Sequence, residues 1–193
     1  VLFRSKKLLF ILLTALFLSQ TAAHAQDGLS TIMTMTIDGA IAPASQQYLE
    51  RAVNVAERQN AEMLILQLNT PGGSIDTMNE MLQIIRGSHI PIIVYVSPKG
   101  AMAGSAGTII TLAGHASAMA PETIIGAASP INSDGTDIDD TAKAKATEAL
   151  KATVRALAER RGTEAIALAE ATIEEARAVS AKEAFEVGLV DFI

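Results

Sequence analysis

Met63-Leu64-Ile65-Leu66, followed closely by Asn69-Thr70-Pro71-Gly72-Gly73, is the stretch on which the fold turns. Four apolar residues in a row leave little room for a helix and read as a strand buried on both faces. A proline and two glycines behind it cannot continue regular structure, so the chain must turn there. Ile75 to Arg86 then runs as an amphipathic helix with Met78, Met81, Leu82 and Ile85 inward. The same order holds upstream. Met33, Met35 and Ile37 alternate with Thr34 and Thr36, which predicts a strand over Thr31–Ile37. A helix follows, opening at Pro43 to Ser45 and running to about Gln59, with Leu49, Ala52, Val53 and Ala56 on its apolar face. Downstream, Pro91-Ile92-Ile93-Val94-Tyr95-Val96 is a second buried strand. Strand then helix, repeated, places the chain in the α/β class, with βαβ units and a mostly parallel sheet.

Beyond Ser97-Pro98-Lys99-Gly100, a small-residue stretch from Ala101 to Gly107 leads into a helix to about Leu112. Ala116–Ala120 and Ile124–Ala128 read as short strands around the turn Pro121-Glu122-Thr123. Ser133 to Asp140 is polar and acidic and reads as a mobile loop. Thr141 to Arg161 is a long helix broken at Gly162. Ser180-Ala181-Lys182-Glu183 carries the capping box of a further helix, which Gly188 stops.

The chain opens on a targeting pattern. Arg4, Lys6 and Lys7 precede an apolar run from Leu8 to Leu18, and Ala23-His24-Ala25 is a small-x-small cleavage site. Residues 1–25 are therefore expected to be a secretory signal peptide, with residues 26–193 as one domain on the extracytoplasmic side. An uncleaved anchor is the alternative, although the run is short against the roughly 20 residues that span a bilayer. The formal charge is −6, and removing the three leader cations leaves −9. No basic cluster survives, which argues against nucleic acid as a partner. The chain has no cysteine, so disulfides, a thiol nucleophile and thiolate metal sites are excluded. No metal and no cofactor are expected.

Two glycine-rich corners each follow a buried strand: Pro71-Gly72-Gly73, and Ala103-Gly104-Ser105-Ala106-Gly107. Small residues there let a ligand approach the backbone and let N–H groups point outward. The second corner sets Ser105 at a helix start. Two readings apply: its hydroxyl caps the helix, or it is a nucleophile.

Taken jointly, Asn69-Thr70-Pro71-Gly72-Gly73, Gly100 to Gly107, Met119-Ala120-Pro121 and Gly126-Ala127-Ala128 resemble the Clp-protease and signal-peptide-peptidase superfamily. Within it the chain is most similar to the NfeD membrane-bound serine proteases, over roughly Met33 to Asp191. The resemblance implies a Clp-protease/crotonase-like spiral of βαβ units with Ser105 as nucleophile. It also implies an oxyanion hole from N–H groups of Gly72, Gly73 and Ala106. It implies a peptide or membrane-protein substrate, stomatin-like, with membrane association and a homo-oligomer.

A serine needs a base. His24 lies in the leader, His89 precedes a strand, and His115 follows the helix that Ser105 starts, so none is placed to serve. The NfeD resemblance implies a Ser-Lys dyad instead, with the lysine on the long helix. Aligning the family's Leu-Ala-Glu-x-x-Gly on Leu157-Ala158-Glu159 and Gly162 puts Arg155 where some members carry that lysine. Arginine stays protonated and cannot be a base. Lys151, one turn earlier, and Lys145 are the candidates. Arg155 also keeps a second reading open, a non-catalytic scaffold that binds a stomatin-like partner. A hydratase-like enzyme of the same fold superfamily is a third, opposed by the leader and the positioned serine.

Overall fold

The computed structural model describes residues 31–131 and 139–193. The expected leader, and residues 133–138 of the expected loop, lie outside the described residues. β1 (Ile32–Asp38), α1 (Pro43–Arg58), β2 (Met63–Asn69), α2 (Ile75–Gly87) and β3 (Ile92–Val96) follow one another as two βαβ units. With β5 (Ala116–Met119) they make a parallel sheet in the order β1-β2-β3-β5. The register sets Leu64, Leu66 and Leu68 of β2 beside Ile92, Val94 and Val96 of β3, all fully buried. Leu49, Val53 and Ala56 of α1, and Met78, Met81 and Ile85 of α2, bring the helices' apolar stripes into the same core.

A second sheet has the order β4-β6-β7, from Met102–Gly104, Ile124–Gly126 and Ala178–Ser180. β4 and β6 are parallel, while β6 and β7 are antiparallel. A bridge between Thr70 and Ala103 joins the two sheets at the end of β2. α3 (Ala106–Ala113) is buried at all eight positions, as a helix apolar all round must be. Its two threonines stay satisfied there. Thr111 donates to the Gly107 carbonyl at 2.7 Å, and the Thr108 hydroxyl lies 2.9 Å from the Ala103 carbonyl and 3.0 Å from the Gly126 N–H.

The C-terminal third is α4 (Asp140–Ala158), a 3-10 turn (Glu159–Arg161), α5 (Thr163–Glu174), β7 and α6 (Ala181–Glu186). The Asp139 carboxylate starts α4 by accepting from the Thr141 and Ala142 N–H groups. Arg161, only 3% exposed, donates through both terminal nitrogens to Asp191 and reaches Ser117 Oγ at 3.0 Å. This bidentate pair latches the chain's end to β5. Among the described residues, no helix is long and apolar enough to cross a membrane.

The α/β class and the mostly parallel sheet are as expected. Four elements are not. β4 forms inside the stretch read only as small residues, and β6 stops at Gly126 rather than Ala128. α5 and β7 fill the span between Gly162 and Ser180, for which the sequence reading named no element.

Candidate active site

Ser105 is the hinge between β4 and α3. Its backbone has φ 50° and ψ −120°, a region that residues with a Cβ rarely adopt. The neighbours over-determine that shape. The Ser105 N–H donates to the Gly126 carbonyl at 3.0 Å, and its carbonyl accepts from the Thr108 N–H at 2.9 Å. The side chain makes no capping hydrogen bond, although Ser105 occupies the N-cap position. The hydroxyl is thus not held by the helix it precedes. It lines a cleft of about 610 Å³ with Gly73, Ala106, Ile109, Ser129 and Leu150.

The other wall is the Pro71-Gly72-Gly73 corner. Gly72 has φ +116°, and a Cβ added there would lie 2.5 Å from Ser105 Cβ and 3.1 Å from its Oγ. Only glycine lets this backbone approach the serine so closely. The structure revises one donor of the expected oxyanion hole. The Gly72 N–H donates to Thr70 Oγ1 at 3.0 Å and is not available. Among the described residues, the N–H groups of Gly73 and Ala106 have no acceptor. Ala106 is the first residue of α3, where the helix leaves N–H groups unpaired and places the positive end of its dipole. Two donors and an unheld hydroxyl on one cleft suit stabilisation of an oxyanion formed at the serine.

The lysines are arranged otherwise than the sequence suggests. Among the described residues, Leu150 is the residue of α4 that lines the cleft, and no lysine lines it. Lys151 is turned toward α5. Its ammonium lies 2.9 Å from Glu174 and 3.6 Å from Glu148, and its side chain is 14% exposed. The Glu174 carboxylate holds the Lys151 pKa above its ordinary value. Lys151, the first-named candidate base, therefore faces Glu174 of α5 rather than the cleft. Arg155 pairs with Glu170 on α5, so it ties two helices together. Lys145 is exposed and has no ion pair among the described residues. Lys143, passed over in the sequence, is half-buried and sits seven residues before Leu150, on the same face. His115 lies beyond the far end of α3, where its Nδ1 accepts from the Ile92 N–H at 3.1 Å. Burial, then Arg86 and Arg160, push its pKa down. Among the described residues, no cluster of His, Asp or Glu is placed to hold a metal.

A family model described as NfeD1b, N-terminal domain, matches residues 31–189. The chain belongs to that NfeD family. It is 39% identical over 160 residues to a membrane-bound protease of Pyrococcus horikoshii, which covers 81% of this chain and 36% of that protein. The chain thus spans about a third of that relative's length. Among solved structures it is similar to a membrane-bound stomatin-specific protease, as a lysine-to-alanine mutant in complex with a substrate peptide. That match has a TM-score of 0.78 at 34% identity, over 86% of this chain and 75% of that one. A serine-to-alanine mutant of the same protease matches with a TM-score of 0.77 at 34% identity, over 84% and 79% of the two chains. ClpP1 from Listeria monocytogenes, at 17% identity, shares the fold with a TM-score of 0.67 over 83% of this chain and 89% of its own.

For this NfeD domain, two features of the site were hidden in the sequence. The role of Thr70 in engaging Gly72 has no signature beyond the residue itself. The tilt of Lys151 toward α5 depends on Glu174, on an element the sequence reading did not name.

Proposed function

We propose that this domain is a serine endopeptidase that acts through a Ser-Lys dyad on an apolar segment of a membrane-associated, stomatin-like protein. The observation that carries it is Ser105: an unheld hydroxyl on a strained junction, facing a cleft with two unpaired N–H groups. Ser105 Oγ attacks the peptide carbonyl while a lysine amine takes its proton. The oxyanion is received by the Gly73 and Ala106 N–H groups. The C–N bond then breaks, the lysine returns the proton to the leaving amine, and water hydrolyses the acyl-enzyme. Ile75, Met78, Ile109, Ile131 and Leu150 line the cleft, which favours an apolar substrate segment.

Lys145 is the base in this reading. It follows Ser105 by 40 positions, while the mutated serine and lysine of the stomatin-specific protease are 41 apart. Among the described residues it has no ion pair. Lys145 stands on α4 five residues before Leu150, the α4 residue that lines the cleft among the described residues. Export by the leader, an extracytoplasmic location, membrane association and a homo-oligomer belong to the same proposal. Among the described residues no lysine lines the cleft, which favours the alternative, a scaffold that binds such a partner without cleaving it.

The test is hydrolysis of an apolar peptide by the purified domain and its Lys145→Ala, Lys143→Ala and Lys151→Ala variants. Lys145→Ala should lose at least about a hundredfold in kcat, as loss of a general base does. Lys151→Ala should stay within a few-fold. Wild-type activity in Lys145→Ala would exclude that lysine, and no turnover by wild type would bring the scaffold forward.

A further inference from the structure

Thr70 lies between the two walls of the cleft and is fully buried. Its backbone clasps β4: the Thr70 N–H donates to the Met102 carbonyl at 2.8 Å, and its carbonyl accepts from the Gly104 N–H at 2.9 Å. Its Cγ2 fills the space beside Gly107, where an added Cβ would lie 2.5 Å away. The hydroxyl faces the other way. It accepts from the Gly72 N–H at 3.0 Å and donates to the Gly72 carbonyl at 3.2 Å. The Ile41 N–H holds the same carbonyl at 2.8 Å.

These bonds fix a peptide plane. The Gly72–Gly73 bond is trans, so the Gly73 N–H points opposite to the Gly72 carbonyl. With that carbonyl held by Thr70 and Ile41, the Gly73 N–H must face away from them. Glycines on both sides of the bond leave the plane otherwise free to rotate, because neither residue brings a Cβ to resist it. We propose that the Thr70 hydroxyl is a positioning group that aims the Gly73 N–H at the oxyanion formed on Ser105. The role in turnover rests on the serine protease reading; the orienting of the peptide plane does not. Thr70 touches neither substrate nor the reacting atoms, so it acts through Gly73.

Two substitutions separate its two functions. Thr70→Val removes the hydroxyl and keeps a methyl group beside Gly107. Thr70→Ser keeps the hydroxyl and removes that methyl group. Hydrolysis of an apolar peptide should show kcat reduced about tenfold to a hundredfold in Thr70→Val with KM little changed, as expected for a misplaced catalytic donor. Thr70→Ser should melt lower than wild type yet keep kcat within about threefold, a rescue that a purely structural residue would not give. Wild-type kcat in Thr70→Val, or equal loss in both variants, would overturn the role in turnover. A second measurement needs no turnover. Amide exchange and nitrogen-proton NMR of the folded variants should show the Gly72 amide losing protection and the Gly73 resonance moving in Thr70→Val, with both retained in Thr70→Ser. Unchanged Gly72 and Gly73 amides in Thr70→Val would overturn the orienting role. A domain that shifts these amides but cleaves nothing even as wild type would keep the orienting role and reject the protease reading.

Discussion

Replacing Ser105 by glycine should make the protein more stable and inactive. The reasoning starts from φ 50° and ψ −120° at Ser105. A side-chain-bearing residue held in such a region costs about 1–3 kcal/mol, most of which glycine removes. Against that, glycine gives the unfolded chain more freedom, worth about 0.5–1 kcal/mol. The net expectation is a gain of about 1 kcal/mol, or roughly 2–4 °C in melting temperature for a domain of this size. Ser105→Ala keeps the strain and loses no capping bond, so it should stay within about 0.5 kcal/mol of wild type. The helix-cap reading instead places both variants below wild type, with Ala down by about 1 kcal/mol and Gly by a few tenths. Urea unfolding of the three proteins, followed by circular dichroism, measures the order directly through the midpoints at constant slope. Both variants should also lose peptide hydrolysis. A glycine variant less stable than wild type would refute the claim that strain is stored at this junction.

Gly72→Ala should destabilise the domain by about 3 kcal/mol and abolish turnover, because its Cβ meets Ser105 and its φ is unfavourable; thermal melts and peptide hydrolysis check both. Asp191→Asn should cost about 2 kcal/mol at neutral pH, since it leaves the covered Arg161 guanidinium without its carboxylate. Burial pushes the Asp191 pKa up, but hydrogen bonds from Arg161 and the Ser117 N–H outweigh it and hold the net value below 3.8. The stability it contributes is therefore present above pH 3.8 and lost as pH falls through the lower folded value. Wild type and Asp191→Asn should converge in unfolding midpoint under strong acid, and a gap that persists unchanged would contradict the assignment.

The sheet-forming half of the molecule was legible because its signals are local. The apolar run Met63 to Leu66 and the run from Ile92 to Val96 are buried strands in both readings, and the turn at Pro71 needs no tertiary information. The Ser105 corner was equally legible as a place of small residues. Its strained backbone was not, because that conformation is imposed by Gly126 and Thr108 from elsewhere in the chain. β4 has three residues, Met-Ala-Gly, with no strand pattern of its own; it exists because Thr70 and β6 pair with it. α5 does carry a helical spacing at Ala165, Leu168, Ala169, Thr172 and Ile173, but three of these side chains are small or polar and give weak contrast. Missing α5 hid Glu170 and Glu174, and those two carboxylates decide where Arg155 and Lys151 point.

The central claim is that Ser105 is a nucleophile, and covalent capture tests it most directly. A fluorophosphonate reacts with an activated serine by forming a P–O bond to Oγ and expelling fluoride, with the proton passing to the base. The purified domain should gain one phosphonyl group by intact mass, and peptide mapping should place it on Ser105. Ser105→Ala should remain unlabelled while folding like wild type. A wild-type domain that stays unlabelled, or a phosphonyl group that maps to Ser74 or Ser129 in the same cleft, would contradict the account.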